Sequence, residues 1–70
     1  MRARDVNRRI ERLGGVPVRQ KGSHRRYRVT SNGITAFTTV AQHPGDMPIG
    51  TLAQIERDLA PVLGEKWLTP

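Results

Sequence analysis

Apolar residues mark two helical stripes with three β-like runs between them. Val6, Ile10 and Leu13 recur at i, i+4 and i+7, which is one face of a helix. Arg4, Arg8, Arg9, Glu11 and Arg12 flank that stripe, and Gly14-Gly15 stops it as glycines do at helix C-termini. The pattern predicts a helix over 3–13. Val16 and Val18 alternate with Pro17 and Arg19 as a short strand, and Pro17 suits an edge position. Gly22 marks a tight turn, and residues 24–30 read as a second strand. Asn32-Gly33 is the strongest short hairpin signal, and it leads into a β-branched third strand over 34–41. His43-Pro44-Gly45-Asp46 carries the Pro-Gly pair of a type II turn.

Leu52, Ile55, Leu59 and Val62 form the second helical stripe. Thr51 and Gln54 have capping-box spacing, with Ile49 as an alternative start. Pro61 is expected to end or kink this helix, because the residue before a proline resists the α conformation. Residues 64–70 hold Trp67 beside Leu68, a tail expected to pack back on the domain.

The order is helix, three strands, helix. Tight turns between consecutive strands predict an antiparallel meander, and each helix must bury a stripe. The reading is an α+β domain with a three-stranded antiparallel sheet and both helices on one face. A two-residue turn at Asn32-Gly33 pairs Ser31 with Ile34, Val29 with Ala36, Tyr27 with Thr38 and Arg25 with Val40. Tyr27, Val29, Ile34, Ala36 and Val40 then face the core. A loop around Lys21-Gly22 pairs Arg19 with His24, Val18 with Arg25 and Val16 with Tyr27, which adds Val16 and Val18 to the core. A one-residue slip would turn these apolar residues to water. The open face is expected to present His24, Arg19, Arg26, Arg28, Phe37 and Thr39.

A chain of 70 residues is expected to be a single domain, with too small a core to enclose an organic cofactor. It has no cysteine, hence no disulfide framework or thiolate metal site, and a reducing cytoplasm suits it. No apolar run reaches the roughly 20 residues of a membrane span, and the arginine-rich start lacks the apolar stretch of a secretory signal. Charge changes the picture more. Residues 1–28 carry ten Arg and Lys against two acids, a net of +8, and residues 29–70 carry a net of −2. Such segregation predicts a basic patch for phosphate backbones or an acidic partner.

The run from Arg19 to Arg28 sets His24 just after a Gly-Ser turn, among Arg19, Lys21, Arg25, Arg26 and Arg28. Histidine alone has an ordinary titration in the neutral range. RNA supplies its own nucleophile, the 2′-OH. Its cleavage needs a base, an acid and cations for the charge on phosphorus, all without metal. His24 is therefore a candidate acid/base, with Arg19, Lys21, Arg26 and Arg28 as phosphate holders. Phe37 is a candidate to stack a base. On the residues alone, a phosphate contact without catalysis is an equal reading for His24. Ser23 reads as a turn residue rather than a nucleophile. His43 is a possible auxiliary group. Two histidines without a ligand-spaced carboxylate cluster predict no metal site.

Leu13-Gly14-Gly15-Val16, then Val18-Arg19-Gln20-Lys21-Gly22-Ser23-His24, then Pro48-Ile49-Gly50-Thr51-Leu52 with Ile55, resembles the HicA family of bacterial toxins over about residues 5–59. The resemblance implies a fold like that of double-stranded RNA-binding domains. It also implies a ribonuclease that acts on messenger RNA and halts growth, and a HicB antitoxin that covers the active face of its type II toxin partner. The family's catalytic histidine lies in Gly-Ser-His, here His24. Gly22 corresponds to the turn glycine and Lys21 to a basic neighbour. Ala41 stands where members often carry proline, His43 falls at a position that often bears histidine, and residues 60–70 lie outside the resemblance. The expected protein is a cytoplasmic, cofactor-free endoribonuclease on single-stranded messenger RNA. A non-catalytic RNA-binding module and a protein-interaction domain are the alternatives.

Overall fold

The computed structural model describes residues 1–68. It contains helix α1 (Ala3–Arg12), strands β1 (Val16–Lys21), β2 (His24–Ser31) and β3 (Ile34–Ala41), and helix α2 (Ile49–Leu63). The strands form one antiparallel sheet in the order β1-β2-β3. The order α-β-β-β-α and the open sheet match the reading from the apolar pattern.

Both helices pack on one face of the sheet. Val6 and Ile10 of α1 and Leu52, Ile55 and Leu59 of α2 form one buried cluster with Tyr27, Val29, Ala36 and Val40. Asn32 (φ 52°) and Gly33 (φ 78°) both take left-handed backbone, as a type I′ turn requires. That turn fixes the β2–β3 pairing as expected: Ser31 with Ile34, Val29 with Ala36, Tyr27 with Thr38, Arg25 with Val40.

The β1–β2 pairing differs from expectation. The loop is Gly22-Ser23, with Gly22 at φ 59°, so Lys21 pairs with His24, Gln20 with Arg25 and Arg19 with Arg26. A bulge at Val18, between Pro17 and Arg19, then brings Pro17 opposite Tyr27 and Val16 opposite Arg28. Val16 and Val18 are consequently exposed at the sheet edge and not in the core. The shift relative to expectation is two residues, so Arg19 keeps its face. Ile34 is also exposed, because it closes the hairpin turn beyond the area the helices cover. Leu13 lies past the last turn of α1 and is exposed too.

Helix α2 starts at Ile49 after Pro48, so Thr51 does not cap it. It runs through Pro61 to Leu63. The proline removes one N–H near the end of the helix, where only the bond to the Arg57 carbonyl is lost. Gly64 (φ 87°) ends the helix, its N–H bonding the Ala60 carbonyl at 2.8 Å. Trp67 and Leu68 fold back and are buried. The Trp67 indole donates to the Glu56 carbonyl at 2.8 Å, and the Arg9 Nε donates to the Trp67 carbonyl at 3.2 Å. The tail thus ties α2 to α1. Thr69 and Pro70, the end of the predicted tail, lie outside the described residues.

Buried polar groups complete the fixings. Thr38 donates to Asp58 at 2.9 Å, tying β3 to α2. Asn7 and Gln42 exchange amide hydrogen bonds at 2.6 and 3.1 Å, and Gln42 also donates to the Val40 carbonyl at 3.0 Å. The Gln42 N–H bonds the Ser23 carbonyl at 2.6 Å. One residue therefore fastens α1, the end of β3 and the β1–β2 turn together. Gly15 packs so close to Ile10 that a Cβ there would lie 2.3 Å from the Ile10 Cγ2.

Candidate functional site

Alternation along β2 separates chemistry from packing. Tyr27 and Val29 enter the core, whereas His24, Arg26 and Arg28 point to the open face. Pairing brings Lys21 opposite His24, and Arg19 and Thr39 opposite Arg26 on its two sides. Arg19, Lys21, His24, Arg26 and Thr39 line one shallow depression of about 300 Å³. The local sequence explains the assembly. A Gly-Ser turn lets two basic strands pair at once, and the Asn-Gly turn sets β3 beside them.

Arg26 is held on two sides. Its Nη1 donates to the Thr39 hydroxyl at 3.0 Å, and its guanidinium lies 5.0 Å from the centre of the Phe37 ring. Such a contact is worth about 0.5–1 kcal/mol at an exposed site. Phe37 therefore supports Arg26, and its ring remains 43% exposed. Arg28 pairs with Phe37 on the same face but does not line the depression. Gln20 braces the turn from the other face, donating to the Gly22 carbonyl at 3.3 Å and accepting from the Arg25 Nε at 3.0 Å. Among the described residues, no hydrogen bond orients the His24 ring.

His43 is not part of the depression. It lines a separate hollow with Arg2, Ala3, Arg4, Gln42, Pro44 and Gly45. No three His, Asp or Glu side chains among the described residues cluster as metal ligands. None of the described helices is long and apolar enough to cross a membrane.

Basic charge forms two surfaces rather than the one patch expected. Arg4, Arg8, Arg12 and Arg25 line a second hollow, with Asn7 and Glu11, on the helical side of the sheet. Sequence reasoning put Arg4, Arg8 and Arg12 beside the α1 stripe but gave them no role. The sequence places Thr39 on the open face without a role, and only the course of the Arg26 side chain reveals the hydrogen bond between them. Behind the sheet, the Tyr27 hydroxyl donates to the Glu11 carboxylate. Burial, and then that hydrogen bond, push the Tyr27 phenol above its ordinary value, while Arg25 acts in the opposite sense.

The family model of the HicA toxin of bacterial toxin–antitoxin systems matches residues 3–60. The chain belongs to the HicA toxin family. The match spans both helices down to Ala60 and the whole sheet, including every residue of the depression. Comparison with curated proteins and with solved structures gave no match. Membership in the HicA family makes the chain a toxin of a toxin–antitoxin pair, with an antitoxin as partner.

Proposed function

We propose that this HicA toxin is a metal-independent endoribonuclease that cleaves single-stranded messenger RNA on the open face of its sheet. The observation that carries the reading is one depression that gathers His24 with Arg19, Lys21 and Arg26. In the reaction, His24 removes the proton from a ribose 2′-OH. The freed oxygen attacks the adjacent phosphorus, and the bond to the 5′-oxygen breaks. That oxygen receives a proton from the imidazolium, leaving a 2′,3′-cyclic phosphate and a 5′-hydroxyl. Arg19, Lys21 and Arg26 face the charge that builds on the phosphoryl oxygens. Thr39 and Phe37 hold the Arg26 fork before substrate arrives, so little ordering is left to the reaction itself. Arg28, one step along the strand, holds the next phosphate, and the exposed edge of Phe37 meets a base. His43, in its own hollow, plays no part in this scheme. No cofactor is required. The toxin acts in the cytoplasm, where messenger RNA is, and a HicB-like antitoxin silences it by covering the basic face.

The experiment compares the wild-type protein with His24→Ala, by growth after induction and by RNA cleavage in EDTA. Loss of a positioned acid/base lowers cleavage about 10²–10⁴-fold, and growth arrest disappears with it. A second reading is favoured by one observation: the His24 ring has no orienting partner among the described residues. On that reading His24 is a phosphate contact in a non-catalytic RNA-binding module. Cleavage absent from both proteins, with RNA binding retained by both, would decide for it.

A further inference from the structure

The arginine row on α1 has no role in the scheme above. Arg4, Arg8 and Arg12 recur every four residues, so they form one line on the helix, with steps of ~6 Å along its axis. Arg25 of β2 joins them in one hollow of about 490 Å³. None of these four arginines is ion-paired among the described residues. The single carboxylate lining that hollow, Glu11, accepts the Tyr27 hydroxyl. Four guanidinium groups against one carboxylate leave the hollow with a net charge of +3 (4 − 1), an arrangement that an incoming polyanion relieves.

Position identifies the ligand. His24 and Arg25 are consecutive in β2 and face opposite sides of the sheet. Both lie at its β1–β2 turn, where Gln42 links the Ser23 carbonyl to Asn7 of α1. A strand that leaves the His24 depression around this end of the sheet meets Arg25 first and the α1 row next. We infer that Arg25, Arg4, Arg8 and Arg12 form a second phosphate-binding track, which holds the RNA flank beyond the cleavage site. The inference rests on the RNA-cleaving reading of the open face. Arginine suits the role, since its planar fork grips phosphate through two parallel hydrogen bonds.

The test measures binding of oligouridine RNA in a His24→Ala background, so that the probe stays intact. RNAs of about 16 and about 4 nucleotides are compared, the longer able to reach both surfaces. Arg8→Gln with Arg12→Gln removes two charges from exposed side chains that no hydrogen bond uses. Arg57→Gln with Lys66→Gln removes the same charge elsewhere, and circular dichroism checks that both variants fold. The α1 variant is expected to bind the longer RNA about tenfold more weakly, with a salt slope lower by about 1.4. Binding of the shorter RNA stays within a factor of about two, as for the charge-matched control. Equal effects of the two variants on the longer RNA overturn the track and leave the nuclease reading standing. So does a loss confined to antitoxin binding, which assigns the row to the protein partner. No binding of either RNA by the parent protein overturns both.

Discussion

The amide pair between Asn7 and Gln42 adds a polar link between α1 and the end of β3 to the apolar packing of Val6 and Ile10. Asn7 is 8% exposed, and Gln42 is its only side-chain partner among the described residues. Gln42→Ala removes three hydrogen bonds, two to Asn7 and one to the Val40 carbonyl. The Val40 bond contributes about 1 kcal/mol net, and stranding the buried Asn7 amide, a cost that already includes the loss of its two bonds, adds about 1–3 kcal/mol. The expected destabilisation is about 2–4 kcal/mol. Asn7→Ala should cost less, about 1–2 kcal/mol, because Gln42 keeps Val40 and reaches water. In the double variant no amide is stranded. It should be less destabilised than the sum of the singles by about 1–2 kcal/mol, the signature of a direct contact. Urea unfolding followed by the fluorescence of Trp67, the only tryptophan, reads this as shifts of midpoint at constant slope. In a thermal scan 1 kcal/mol corresponds to about 4–8 °C for a domain of this size. A double variant equal to the sum within about 0.5 kcal/mol refutes the argument.

Two glycines should respond to alanine with opposite signs. A Cβ at Gly15 meets Ile10, so Gly15→Ala is expected to destabilise by about 1–3 kcal/mol through overpacking. Gly50 sits in α2 with open space around it, so Gly50→Ala should stabilise by about 0.5–1 kcal/mol; urea midpoints measure both. Tyr27 has a folded-state phenol pKa above its ordinary 10.0, chiefly through burial. Its contribution is therefore fully present below about pH 10 and is lost as pH rises through the higher folded value. Urea midpoints of the wild type should fall more steeply above pH 10 than those of Tyr27→Phe, and parallel curves would contradict this.

The β2–β3 register was legible because Asn32-Gly33 admits one turn geometry and the apolar residues on each side agree with it. The β1–β2 register was not, because Gly22 is compatible with more than one loop and a bulge leaves no mark in sequence spacing. Val16 and Val18 read as core residues for that reason and proved to be edge residues. The open face survived the error, since a shift of two preserves the side on which Arg19 lies. Pro61 misled in another way. Local preference argues for a break, but one lost hydrogen bond near a helix end is small beside the packing of Leu59 and the tail. The grouping of Arg19, Lys21, His24 and Arg26 was visible from alternation and pairing. The hold of Thr39 and Phe37 on Arg26 was not, because it depends on the course of a long side chain across the sheet. Nor was the gathering of Arg4, Arg8 and Arg12 with Arg25, which requires knowing how α1 lies across the strands.

The layering of the sheet has a consequence for inheritance. Core residues and open-face residues alternate along β2, so nearly all the packing lies behind the chemistry. A substitution at His24 or Arg26 touches solvent-exposed side chains and leaves the fold almost as stable as before. On the mechanism proposed above, a gene selected for harmlessness would disarm its product by one base change and still encode a protein that folds. Disarmed copies would keep the shape that a neutralising partner reads, and would persist as decoys. Abundance and melting temperature would not tell them from armed ones; only the identities of a few surface side chains would.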